Sequence, residues 1–528
     1  MNHPKYSRRN FLQGASCMVA AGGISSFVPK LNLMGEALAQ TGSGTGYKAL
    51  VCVFLGGGND SWNIVIPTGT NLTGQFSHEE YRVARNGYYT AANTAGLAIP
   101  RATTSGALPA ALALNPVAGN VGAGNVGMNP FAPELQAMFN NGKLAVISNV
   151  GTLVDPLTRA TYNARKKPPE LYSHNDQTNL WQIGSGNGAS NPQGFGGKIA
   201  GITAQDNLVG MSSAISIAGQ NRFLVGETLL NEPVFPFQLS TSATTPATVL
   251  NNYSISSATQ GEAQRRGALD QLFNLAYPEL YSAEYRDIFN RSLQMSSIIN
   301  AQMTTNGALT TTFPANNSLA DQLKQVARMI KISRPASVGG PGAISANRQV
   351  YYVTLGGFDT HDNQITSTTA ANGHHGLVQR LSQALNAFNN AMTEIGAANE
   401  VTLFTMSDFS RTINSNGNGT DHAWGSMQLV TGGAVTGGKV LGRYPRMVLN
   451  LQGDNNGECF SRGQFLPTTA VDQLGATLAR WMGVDNSNLP LVFPNIDNFA
   501  TGPFATAGAS PSFANFNRVI PGLFPGIS

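Results

Sequence analysis

The chain has 528 residues, of which 41% are apolar and only 11% charged, so it can bury a large core and does not read as a disordered sequence. Its formal charge of +4 sits mostly at the front, because without residues 1–39 the 32 basic and 28 acidic residues become 28 and 27. No basic stripe remains to neutralise phosphates and no aromatic-interleaved basic segment occurs, which excludes nucleic acid as the expected partner.

The opening stretch "YSRRNFLQGASCMVAAGGISSFVP" sets a twin arginine, Arg8 and Arg9, before Phe11, Leu12 and a mildly apolar run broken by Gly and Ser. It resembles a twin-arginine export signal, which implies the translocase as a partner during export and a periplasmic or secreted destination. The run is too short and too polar to predict a stable membrane span, and "ALAQ" at 37–40 offers a cleavage site after Ala39. Lipid attachment at Cys17 is the lesser reading, since Gly14 stands where a lipid-attachment motif wants Leu. Cys52 and Cys459 remain; a disulfide between them and two separate thiols are both open, and the sequence holds no zinc framework of cysteines.

After the signal, "KALVCVFL" (48–55) is a continuous apolar run bounded by glycine, which predicts a strand covered on both faces. Residues 68–130 show little periodicity and predict a loop insertion at the surface. "PFAPELQAMFNNGK" reads as a short helix with Pro and Glu in its first turn, and "LAVISNVG" (144–151) as a second buried strand. Ser173 suits an N-cap ahead of a short helix in "YSHNDQTNLWQIG". Residues 212–240 are strand-like and irregular, and 260–333 carry apolar residues at helical spacing, a helical insertion that packs as a layer or stands as a lid. Then come a strand in "RQVYYVTLGG", an amphipathic helix in "HHGLVQRLSQALNAFNNAMTEIG", a strand in "EVTLFTMSDF", a short strand in "SMQLVTGG" and a final helix over 468–484. This alternation predicts an α/β fold with a mainly parallel sheet flanked by helices, as one domain over 46–528.

In an open α/β sheet, ligands bind outside the carboxyl ends of the strands. There the sequence puts Asp60, then Asp359 with His361, then Asp408, and the glycine-rich loop "NGNGTDHAWGS" adds Asp421 and His422. Five histidines, His174, His361, His374, His375 and His422, fall in or beside these segments. Carboxylates gathered at one edge repel unless a cation separates them, which is the reason to expect metal. Carboxylate with imidazole suits zinc, manganese or iron, whereas an all-oxygen set suits magnesium or calcium. One or two ions fit this set, and a bridged pair would hold both oxygens of a phosphoryl transfer.

The twin-arginine start, "FLGGGNDSWNIVIP", "LYSHNDQ", "GGFDTHDNQ", "MSDFSRT", "GTDHAWGSMQLVTGGAVTGGKVLGRYP" and "LARWMGV" together resemble the bacterial domain of unknown function 1501 family, over about residues 46 to 500. That family resembles the alkaline phosphatase and sulfatase superfamily in fold. The resemblance implies metal ligands at Asp60, Asp359, His361, Asp408 and His422, with Ser173 as nucleophile at a helix start and Arg411 clamping a phosphate or sulfate oxygen. His174 reads as a ligand or proton donor, and Asp421 as the partner that orients His422. The chain departs from the superfamily in three ways: Phe409 follows Asp408 where a histidine is common, only one residue separates Asp359 from His361, and no Cys-x-Pro-x-Arg sulfatase signature is present.

Plainer roles stand beside these: Asp60 and Ser173 as helix caps, His374 and His375 as surface or supporting groups, Trp424 as core, Arg411 as half of a structural ion pair. Two functions follow. One is an exported metal-dependent hydrolase of phosphate or sulfate esters on a small molecule or glycan. The other is a non-catalytic exported binding protein that keeps the fold.

Overall fold

The computed structural model describes residues 46–116, 125–187, 193–207, 212–249, 260–275, 279–449, 458–500 and 518–527. The expected signal segment, Cys17 and the expected cleavage site after Ala39 lie outside the described residues.

A nine-stranded sheet organises the chain. Its strands are β1 (Lys48–Leu55), β2 (Leu144–Gly151), β3 (Ala214–Ser216), β4 (Phe237–Gln238), β5 (Arg348–Leu355), β6 (Val401–Ser407), β7 (Ser426–Thr431), β8 (Lys439–Leu441) and β9 (Thr469–Ala470). They run in the order β8, β2, β7, β6, β1, β5, β3, β4, with β9 also against β2. Every pairing is parallel except the two made by β7, which runs against both β6 and β2.

β1 is apolar throughout because it serves two cores. Ala49, Val51, Val53 and Leu55 enter one, with helices α2 (Pro133–Asn140), α7 (Ser318–Ser333) and α8 (Gly373–Glu394). Leu50, Cys52 and Phe54 enter the other, with α3 (His174–Ile183), α4 (Phe195–Ile202) and α9 (Val471–Met482). With period-two side chains, a strand apolar at every position can only lie between two helical layers. Each fully buried Val or Leu contributes about 1.5–3 kcal/mol.

Three expectations change. The 68–130 insertion is not all surface: it holds α1 (His78–Ala84), and Tyr81, Arg85 and Ile99 are buried. The 260–333 segment splits into α5 (Gln260–Phe273), α6 (Leu280–Thr305) and α7; α7 is a buried layer, whereas α6 meets the core through Ile299 and Met303. The helix at 468–484 is not the last, since helical turns follow at Leu489–Val492 and Ile496–Ala500. No helix among the described residues is long and apolar enough to cross a membrane.

The parallel register sets one functional edge. Leu55 of β1 lies level with Leu355 of β5 and Ser407 of β6, so the loops that follow these strands leave together. β7 runs the other way, so the residues before it, not after it, reach the same edge. That is why His422 precedes its strand while Asp359 and Asp408 follow theirs.

Candidate metal centre

β1 ends in Gly56, Gly57 and Gly58, and the last two hold φ of +113° and +76°. A Cβ on Gly57 would stand 2.4 Å from the amide nitrogen of Asp359, and one on Gly58 the same distance from the ring of Phe409. Only glycine permits this turn. Its amides close on Asp408: Gly57 N–H donates to that carboxylate at 3.2 Å and Gly58 N–H at 2.5 Å. Successive amides in such a turn form a small anion cradle, and here the anion is the chain's own.

Asp408 also accepts from His174, with Oδ2 2.5 Å from Nδ1. His174 is the first residue of α3, placed by the cap at Ser173. His422 puts Nδ1 2.7 Å from the carbonyl of Tyr172, and His361 puts Nδ1 3.2 Å from Oδ1 of Asp421. A carbonyl or carboxylate can only accept, so each of the three Nδ1 atoms carries a proton, and in the neutral ring each Nε2 is left with the lone pair. Tyr172 holds φ of +75°, a conformation that costs a non-glycine residue about 1–3 kcal/mol and marks a built site.

The three lone pairs converge on Asp359. Its carboxylate oxygens lie 3.5 Å from Nε2 of His174, 3.3 Å from that of His361 and 3.4 Å from that of His422. Nε2 of His361 and Nε2 of His422 are 2.8 Å apart, and Nε2 of His174 is buried with no hydrogen-bond partner. His174, Asp359 and His422 offer ligand atoms all within 4.8 Å of one another. Lone pairs crowded around one carboxylate, with their protons committed elsewhere, fit a divalent cation.

Charge follows the same design. Burial pushes the Asp359 carboxyl up, but Arg411, then His174 and His361, outweigh it and hold it below the usual carboxylate range. His174 is raised, first by its bond to Asp408. His422 is lowered, first by burial. The guanidinium of Arg411 is wholly buried and its Nη2 lies 2.9 Å from Asp359, so it holds that carboxylate instead of opening toward a substrate.

Asp60 is placed elsewhere. Its carboxylate is fully buried, 2.5 Å from Nη2 of Arg85 and 2.5 Å from Nε2 of Gln364. Ser173 caps α3 and donates its hydroxyl to Asp176 at 2.6 Å. Asp421 supports His361, whereas the expected partner of His422 is replaced by a backbone carbonyl. His374 and His375 are buried, not superficial; His374 meets Asn59 and His375 meets Asn129. Trp424 is core and donates to the carbonyl of Thr152. Arg85 went unread in the sequence because it lies in a stretch without period, and no residue type signals a strained carbonyl such as that of Tyr172.

Residues 236–489 match the DUF1501 family. Its model is described as a protein of unknown function, and the DUF1501 match takes in Asp359, His361, Asp408, Arg411, Asp421 and His422 but begins after Asp60 and His174. No curated protein matches the chain. Among solved structures, the C-terminal periplasmic domain of EcEptC from Escherichia coli, in a zinc complex, is 10% identical over 85% of each chain with a TM-score of 0.31. The PsFucS1 sulfatase from Pseudoalteromonas sp. is 11% identical over 88% of this chain and 77% of its own, with a TM-score of 0.28. Neither likeness is strong enough to assign chemistry to this chain.

Proposed function

We propose that the protein is an exported metal-dependent hydrolase of phosphate or sulfate esters, built on an alkaline-phosphatase-like frame around a single ion. The observation that carries this is the convergence of three Nε2 lone pairs on Asp359. His174, His361, His422 and Asp359 would hold the ion. Three imidazoles and one carboxylate suit zinc, manganese or iron better than magnesium or calcium.

One ion is the stoichiometry to expect. Asp60 and Asp408, the remaining acids of the expected ligand set, are engaged by the chain's own donors: Arg85 and Gln364 at the first, Gly57, Gly58 and His174 at the second. The Arg85 guanidinium already supplies the positive charge that a second ion would bring.

A zinc or manganese ion in this place supplies Lewis-acid polarisation of an ester oxygen. The chain's residues do the rest. Arg411 fixes Asp359, and Asp421 and the Tyr172 carbonyl fix the two histidine tautomers. The amino-terminal end of α3 adds a positive dipole where an anionic ester would arrive. With the Ser173 hydroxyl bonded to Asp176, water is the attacking group.

A second reading, a non-catalytic binding protein, is favoured by the engagement of Asp60 and Asp408 with the chain's own donors, which leaves no second ion site among the described residues. Elemental analysis by inductively coupled plasma mass spectrometry decides between them. The mature protein, purified without chelator, is expected to hold one ion per chain, lost in Asp359→Ala and His422→Ala. Hydrolysis of glucose 6-phosphate or glucose 6-sulfate should vanish on removal of the metal and return with that ion. A folded chain that takes up no metal overturns both the centre and the hydrolase. Metal without turnover of either ester leaves the binding protein.

A further inference from the structure

Beside Asp359, a cleft of about 570 Å³ opens between the loop after β5 and the first turns of α8. Its helical wall is one face, since Gly373, Gly376, Leu377 and Arg380 recur at three- and four-residue intervals. The volume lies within the roughly 300–1,000 Å³ of small-molecule sites, but those are lined mainly by apolar and aromatic side chains. This one is not. Thr360, Asp362, Asn363, Asn372, Gln379 and Arg380 line it, and Leu377 with Ala371 is its only aliphatic surface.

Two atoms of this lining lack partners. Thr360 is only 8% exposed and its Oγ1 makes no hydrogen bond, and Oδ1 of Asn372 is likewise buried and unpartnered. Asn372 stands at the N-cap of α8 yet makes no side-chain capping bond. Buried polar groups are seldom left unsatisfied, at a cost of about 1–3 kcal/mol each, so both need an explanation. Thr360 lies between Asp359 and His361 in the chain, so the cleft and the candidate centre share one loop.

We propose that the cleft is a subsite for a hexose ring, the alcohol portion of the ester whose anionic group sits at Asp359; this rests on the hydrolase reading above. Amide side chains and a threonine hydroxyl both donate and accept, as sugar hydroxyls do. Asp362 and Arg380 add a carboxylate and a guanidinium, each able to take two neighbouring hydroxyls at once. An alkyl chain or an aryl ring would desolvate these groups and return no hydrogen bonds, a loss that sites built for hydrogen bonding do not tolerate.

The test uses the full mature chain and three probes, the methyl α-glycosides of glucose, galactose and mannose, at millimolar concentration. Saturation-transfer NMR is expected to show contact for at least one of them. Asn363→Ala with Gln379→Ala should weaken that contact at least tenfold, and Thr360→Val should weaken it alone, with the fold unchanged by circular dichroism. No transfer to any probe from the folded chain, or equal transfer in the double variant, overturns the subsite. Binding a free glycoside requires neither metal nor turnover, so the two ideas fail separately. Sugar contact without ester hydrolysis sinks the hydrolase and with it the ester role of the cleft, leaving a sugar-binding cleft; hydrolysis without sugar contact sinks the subsite alone.

Discussion

The Nε2 atoms of His361 and His422 lie 2.8 Å apart while both rings direct their Nδ1 protons to other acceptors. Such a pair needs a cation or a shared proton between its nitrogens. The orienting groups should therefore control affinity. Asp421→Asn is expected to weaken metal binding about 10–100-fold, the usual effect of losing an outer partner. Isothermal titration of the metal-free protein with zinc measures this, and an unchanged affinity would show that Asp421 does not set the His361 ring.

Ser173 separates two roles that coincide in sequence. As a cap it should contribute about 1 kcal/mol to the fold and little to chemistry. Ser173→Ala is expected to lower the melting temperature by a few degrees and leave ester turnover within a few-fold of the parent. A loss of several orders of magnitude would restore the serine nucleophile.

The buried pair of Asp60 and Arg85 makes an opposed set of predictions. Arg85→Met strands a buried carboxylate and should destabilise the chain by about 3–5 kcal/mol. Asp60→Asn combined with Arg85→Met should recover most of that and still bind one ion, because neither residue is needed at Asp359. Loss of the ion in the double variant, measured by elemental analysis, would make Asp60 a ligand after all.

Acid sensitivity should come from α8. Burial holds His374 down at about 4 and His375 down at about 3, against about 6.5 when exposed. Both rings are fully buried. The folded chain thus refuses protons that the unfolded chain accepts, so stability is complete above about pH 6.5 and is lost as pH falls toward 4. Each ring contributes up to about 1.4 kcal/mol per pH unit, so roughly 2–4 kcal/mol should disappear between pH 6.5 and 5. Denaturant midpoints across that range check it, and His375→Gln should flatten the slope.

Much of this was legible because strands buried on both faces read as unbroken apolar runs. β1, β2, β5 and β6 each announce themselves so, and the acids after β1, β5 and β6 follow from strand direction. The shape of the cluster was not legible. Whether Asp60 or His174 turns toward Asp359 depends on partners hundreds of residues away, and nothing near Asp60 foretells that Arg85 will reach it. His374 and His375 look superficial because they open an amphipathic helix, yet Asn59 and Asn129 draw that end of α8 inward. The direction of β7 was hidden too, since a six-residue strand carries no mark of its polarity.

β1 lies at the centre of the sheet, yet Lys48 pairs with Arg348 and Ala49 with Val401. At about 5–20 residues per second, a ribosome takes roughly 15–60 s to deliver the first of the strands that flank it. Throughout that interval "KALVCVFL" is an unpaired apolar ribbon with both edges bare, the kind of segment that zips onto a second chain. Premature termination anywhere before β6 should therefore leave insoluble product instead of a smaller folded protein, and holding β1 apart during synthesis becomes a task for chaperones.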